Sequence, residues 1–210
     1  MKFLRSRFNL KFLRNFVLIL CVLGSSLPRL QAFTNDQERR EARVQATYLT
    51  HLINFTIWSK EHLPKVNQSP TILVLGNEDS GFVASLDYLI SQTRVRIGGK
   101  IAKFSHLNNA KVSEAKIQLK QGVQVVFLMP GAKFTADEVR ALSPSAVIFG
   151  FGRNFVLKNG GDVAFVSERN RVKLVLSEFY FRRTSPKLSS KIANLKSVVE
   201  IIRRSKSNKR

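Results

Sequence analysis

The chain has 210 residues and carries 35 Lys+Arg against 14 Asp+Glu, a formal net charge of +21. Its hydrophobic share of 44% excludes a disordered or collagen-like chain, and its length favours one domain with a leader over two domains. A lone cysteine excludes a disulfide framework and a multi-cysteine zinc site, and the scattered His51, His62 and His106 argue against a His-rich metal site.

The first residues have the order of a secretory signal. Lys2, Arg5, Arg7, Lys11 and Arg14 come without an acid, then the apolar run from Phe16 to Leu23, then Gly24-Ser-Ser-Leu-Pro28. The run falls well short of the roughly 20 residues a helix needs to cross a bilayer. The expected cut follows Ala32, which makes residues 1–32 a signal peptide, removes Cys21 and places the protein in the periplasm; an uncleaved N-terminal anchor is the alternative. The remainder is still strongly basic. Nucleic acid is the usual partner of such charge, but an exported protein meets anionic lipid or an acidic receptor surface instead, so no nucleic acid is expected. Residues 203–210 form a basic tail, with Arg203, Arg204, Lys206, Lys209 and Arg210 and no aromatic residue for base stacking. A solvated end and a weak contact with anionic lipid both fit it.

Residues 36–58 are predicted as the first helix. Ala42, Ala46, Leu49, Ile53 and Ile57 recur on one helical face, and Thr34 or Asn35 can cap the start. Thr71–Gly76 reads as a strand buried on both faces, Phe82–Ser91 as a helix, and Ile101–Phe104 as a weaker strand. Ser113–Leu119 is a short helix and Val123–Met129 a second buried strand. Thr135-Ala-Asp-Glu138 is a capping box that opens a helix ending near Leu142, and Ala146–Gly150 is the next strand. Strands separated by helices argue a parallel sheet. Val163–Val166 and Val172–Leu176 lie too close for a parallel crossover and are predicted as an antiparallel hairpin. Ser185-Pro186 opens a final predicted helix whose buried face carries Leu188, Ile192, Leu195, Val199 and Ile202. The fold class expected is α/β: one domain over residues 33–202, a three-layer sandwich with a mostly parallel sheet flanked by helices and an antiparallel C-terminal hairpin.

Signals for chemistry are weak. Gly76-Asn-Glu-Asp-Ser-Gly81 sits where α/β folds bind phosphate, but Phe82-Val83 stand where a Lys and a hydroxyl are wanted, and Glu78 and Asp79 would repel an anion. Gly-x-Ser-x-Gly does not occur, and the cut removes the only thiol. No catalytic residue, metal or cofactor is assigned, and no enzyme activity is expected. The densest pattern runs from Gly160-Gly161 through the hairpin, where Glu168, Arg169 and Arg171 gather at the tip.

That pattern, Gly160-Gly-Asp-Val-Ala-Phe-Val-Ser-Glu-Arg-Asn-Arg-Val172, followed by Leu188-Ser-Ser-Lys-Ile-Ala-Asn-Leu195, resembles the C-terminal half of the YfiR-like family. Ala46-Thr-Tyr-Leu49, Asn54-Phe-Thr-Ile-Trp58 and Leu73-Val-Leu-Gly76 are similar to the family's opening helix and first strand. The resemblance spans residues 38–200. It implies a periplasmic, non-enzymatic regulator that binds the outer domain of an inner-membrane diguanylate cyclase, or a related sensor kinase, and lowers cyclic-di-GMP signalling and biofilm formation. A homodimer stays open, and a periplasmic small-molecule-binding protein is the alternative function. Carried over by motif, Phe55 and Trp58 at the end of the first helix and Glu168 and Arg171 at the hairpin are the candidate partner-binding residues. Packing or ion pairing within the fold is the competing role for each. The family's periplasmic disulfides have no counterpart here once Cys21 is removed.

Overall fold

The structure, a computed structural model, describes residues 27–203 apart from Val66, Asn170, Thr184 and Lys196. The chain divides into a short N-terminal unit ending at Glu38 and a body from Arg39 onward. In the first unit the described residues are helical; the expected leader lies outside them up to residue 26, and so does the basic tail from residue 204.

Helix α1 (Leu27–Asn54) enters the body with one apolar face, on which Ala42, Ala46, Leu49, Leu52 and Ile53 are all buried. Then follow β1 (Thr56–Ile57), β2 (Thr71–Leu75), α2 (Phe82–Thr93), a small hairpin of β3 (Arg96–Ile97) and β4 (Lys100–Ile101), and β5 (Lys103–Leu107). Next come α3 (Val112–Lys120), β6 (Val125–Leu128), α4 (Ala136–Leu142), β7 (Val147–Phe151), α5 (Arg153–Leu157), β8 (Val163–Glu168) and β9 (Arg171–Ser177). The chain ends with α6 (Glu178–Arg182), β10 (Lys187–Leu188), a turn of 3-10 helix over Ser190–Asn194, and β11 (Val199–Ile202).

Seven strands form one sheet in the order β11-β9-β8-β7-β6-β2-β5. All neighbours are parallel except β8 and β9, which form the expected antiparallel hairpin with Glu168 opposite Arg171. The central strands are buried on both faces, which explains their continuous apolar sequence. Alternate residues Ile72, Val74, Val125, Phe127, Val147, Phe149, Val163 and Phe165 meet α1 and α2. Leu73, Leu75, Val126, Leu128 and Ile148 meet α3 and α4 on the other face. Phenylalanines dominate the first layer: the Phe82 and Phe127 rings lie 4.5 Å apart, and Phe127 stacks over Phe165 at 5.8 Å. The capping box of α4 is present: the Glu138 N–H donates to Thr135 Oγ1 (3.2 Å), and the Thr135 N–H donates to Glu138 Oε2 (2.8 Å). The three-layer α/β sandwich expected from the sequence is the fold of the body.

Three stretches depart from the expected elements. The strand expected over Ile101–Phe104 is split, with Ile101 in β4 of the small hairpin and the sheet strand β5 running Lys103–Leu107. The final helix does not form. Its residues are instead β10, which pairs antiparallel with β1, a 3-10 turn, and β11, which pairs parallel with β9 at the sheet edge. Leu195, expected on the buried face, is exposed. Apolar spacings of three and four suggested a helix, but Val198, Val199, Ile201 and Ile202 are β-branched and fit a strand better. The first helix also differs. It already includes Thr34 and Asn35, so neither caps it, and it stops at Asn54, where Thr56 and Ile57 pair with Leu188 and Lys187. Ile57 continues the helical spacing in sequence yet is exposed as part of β1.

Of the paired glycines before β8, Gly160 takes the positive φ of +82°. Gly161 serves another purpose: a Cβ there would sit 2.0 Å from the Phe155 ring, which also closes on Gly150. The two glycines form the slot for that ring.

Candidate functional site

The sequence pointed to two places, and the fold sets them apart. Ser167 Oγ, beside the hairpin tip, donates to Glu41 Oε2 (2.6 Å) near the start of the body's part of α1. Phe55 follows the other end of the same helix. Fourteen residues at 1.5 Å of rise put the two places roughly 20 Å apart along α1.

At the hairpin, Glu168 faces α5 and is the centre of a charge ladder. Its carboxylate accepts from Lys173 Nζ (2.8 Å) and from Arg153 Nη2 (3.1 Å). Arg153 also pairs with Glu200 on β11, so one guanidinium ties β8 to the sheet edge. The Lys173 and Arg153 bonds hold the Glu168 carboxyl below the usual carboxylate range. Glu168 is therefore engaged with Arg153 and Lys173, and Arg171, its cross-strand neighbour, remains exposed. Nothing in the local sequence marked Arg153 or Glu200, because neither lies near Glu168 in the chain.

At the other end, Phe55 is 39% exposed and Trp58 packs partly buried against the core of α1 and α2, its indole Nε1 buried without a partner among the described residues. The backbone there is held firmly. The Ser189 N–H donates to the Phe55 carbonyl (2.9 Å), and the Ser59 N–H to Ser185 Oγ (2.8 Å). Thr56 points inward, where its hydroxyl donates to the Leu52 carbonyl (2.7 Å) and so accepts from the Tyr180 hydroxyl at 2.6 Å. Strand alternation then turns Phe55 and Ile57 outward. Phe179, next to the buried Tyr180, is exposed as well. Phe55 and Ile57 are thus two exposed apolar side chains on one fixed junction, and Phe179, in the helix that carries Tyr180, is a third exposed apolar residue. Ile57 and Phe179 were not found from sequence, since the first looked helical and the second lies in a five-residue helix too short to show periodicity.

Beneath this junction lies a buried polar cluster. Asp162 is fully buried. Its Oδ1 accepts from Arg140 Nη2 (3.0 Å), its Oδ2 accepts from the Ile148 N–H (3.0 Å), and Arg183 lies 3.7 Å from Oδ2. The Arg183 guanidinium stacks 4.8 Å from the centre of the Tyr180 ring. Burial pulls the pKa of Arg183 below the ordinary guanidinium value, with Asp162 and Tyr180 opposing it. Burial pushes the Tyr180 phenol well above its ordinary value, so it stays protonated and donates to Thr56.

The glycine-flanked loop after β2 is filled by the chain itself. Glu78 Oε1 accepts from the Phe82 N–H (2.9 Å) and from Ser80 Oγ (2.6 Å), so an internal carboxylate occupies the helix start where a phosphate would sit. Partial burial disfavours its charged form, but the Ser80 hydroxyl and the amides of Phe82, Val83 and Gly81 outweigh it and lower the pKa. The lowered pKa means this contribution to stability is complete above the unfolded value near pH 4.5 and fades as pH falls through the folded one. Glu78→Gln is expected to cost up to about 1 kcal/mol at pH 7 and progressively less as pH falls below 4.5, read from urea unfolding across the acidic range.

Residues 42–196 match the family model described as YfiR/HmsC-like. No curated protein and no solved structure matches the chain.

Proposed function

This chain belongs to the YfiR/HmsC-like family, and on that premise we propose that it is a periplasmic regulatory protein that restrains an inner-membrane diguanylate cyclase by binding its outer domain. The family implies regulators of such cyclases, not enzymes. The observation that carries the reading is the junction at the end of α1, where Phe55 and Ile57 stay exposed on a backbone fixed from several sides, with the exposed Phe179 next in sequence to the Tyr180 that holds Thr56. Aromatic anchors on a rigid support lose little entropy on docking and are the usual centre of a protein interface. In this reading Phe55 makes contact and Trp58, packed on the core, positions it. Arg171 supplies a charge at the hairpin, and Glu168 holds that hairpin through Arg153 and Lys173. Repression follows by population shift: a receptor whose inactive form binds this surface better is driven toward that form. A differential affinity of about 1–3 kcal/mol suffices for a five- to hundred-fold shift.

Calorimetric titration of the exported protein with the isolated outer domain of the membrane cyclase tests the reading. Saturable binding is expected. Absence of binding with both partners folded would contradict it.

A further inference from the structure

The strand order reverses between β2 and β6, the place where open α/β sheets usually bind ligands, at the carboxyl ends of the strands. Here that crevice is closed. Gly76 backs so tightly on the next loop that a Cβ on it would lie 2.9 Å from Met129 Cβ and 3.2 Å from Ala132 Cβ. One strand further on, a cavity of about 300 Å³ opens above the carboxyl ends of β6 and β7. Its walls are Met129, Phe134, Phe151 and Phe155, with Thr135 and Asn159 as the polar side chains. Phe155 is fixed in the glycine slot of Gly150 and Gly161, so that wall cannot fold into the cavity without leaving its seat. The Thr135 hydroxyl is spent on Glu138, which leaves the exposed Asn159 amide at the rim.

We propose that this cavity is a binding site for a small, neutral aromatic or alicyclic molecule carrying one hydroxyl or carbonyl for Asn159. The lining decides the class. In a chain with 35 Lys+Arg, no charged side chain among the described residues lines the cavity. An anionic ligand would give up its hydration against phenyl rings with no cation to replace it. A neutral ring system fills the same walls at no such cost, and the volume is at the lower end of natural ligand cavities. The proposal is independent of the receptor-binding reading, because the exposed junction and this cavity share no residue.

Two probes with one ring skeleton separate the effects: 2-naphthol, neutral at pH 7, and naphthalene-2-sulfonate. The full chain is titrated with each by fluorescence and by amide NMR. Expected are saturable 2-naphthol binding at least tenfold tighter than that of the sulfonate, shifts centred on Met129–Thr135 and Phe151–Phe155, and loss of binding in Asn159→Trp, whose indole covers the rim from an exposed position. The net positive charge of the protein favours the sulfonate at any non-specific surface site, so equal or tighter sulfonate binding overturns the proposal. So does 2-naphthol binding that survives Asn159→Trp, or no binding up to millimolar concentration.

Discussion

Asp162→Ala is expected to destabilise the protein by about 3–5 kcal/mol, the cost of leaving a buried charge without its partner. The carboxylate is fully buried and touches Arg140, Arg183 and the Ile148 N–H, while the Arg183 side chain is itself only 8% exposed. Without it, two guanidinium groups are left facing each other with little water to separate them, and the amide at the start of β7 loses its acceptor. For a body of this size the melting temperature should fall by about 10 °C. The loss reflects the charge left behind, so Asp162→Asn with Arg183→Met should recover much of it. Urea and thermal unfolding of the single and double variants check both points. A loss below about 1 kcal/mol in the single variant would mean that water reaches the cluster.

The second large effect is on partner binding. Phe55→Asp and Phe179→Asp are each expected to weaken binding to the cyclase outer domain by about 2 kcal/mol or more, some thirtyfold, as an anchor of an interface should. Both side chains are exposed, at 39% and 52%, so stability should change by less than about 1 kcal/mol. Arg171→Glu, at the far end of α1, tests the hairpin. A reduced on-rate with a weaker salt dependence is expected if the hairpin charge steers the encounter. Unchanged binding in both aromatic variants, with the fold intact, would remove the junction from the interface.

The layers of the fold were legible in the sequence because burial there is decided locally. The apolar runs of β2, β6 and β7, the capping box of α4 and the buried face of α1 each carry their own pattern. What failed depends on partners distant in the chain. Ile57 keeps the helical spacing of Ile53, but pairing with β10 draws it into a strand. The C-terminal segment kept that spacing too, and the free edge of β9 turned its β-branched residues into β11. Of the candidate site, the sequence pointed to Phe55, Trp58, Glu168 and Arg171 through motif resemblance. It could not indicate that Glu168 is engaged by Arg153 and Lys173, or that Ile57 and Phe179 are exposed. Nothing beside Asp162 in the chain marks its role, since its partners Arg140 and Arg183 come from α4 and from just beyond α6.

The most direct measurement is cellular cyclic-di-GMP after deletion of this gene, made with and without the membrane cyclase whose outer domain the protein binds. The account predicts a rise when the cyclase is present, reversed by the intact protein but not by Phe55→Asp, and no change when the cyclase is absent. An unchanged level in both backgrounds would contradict it.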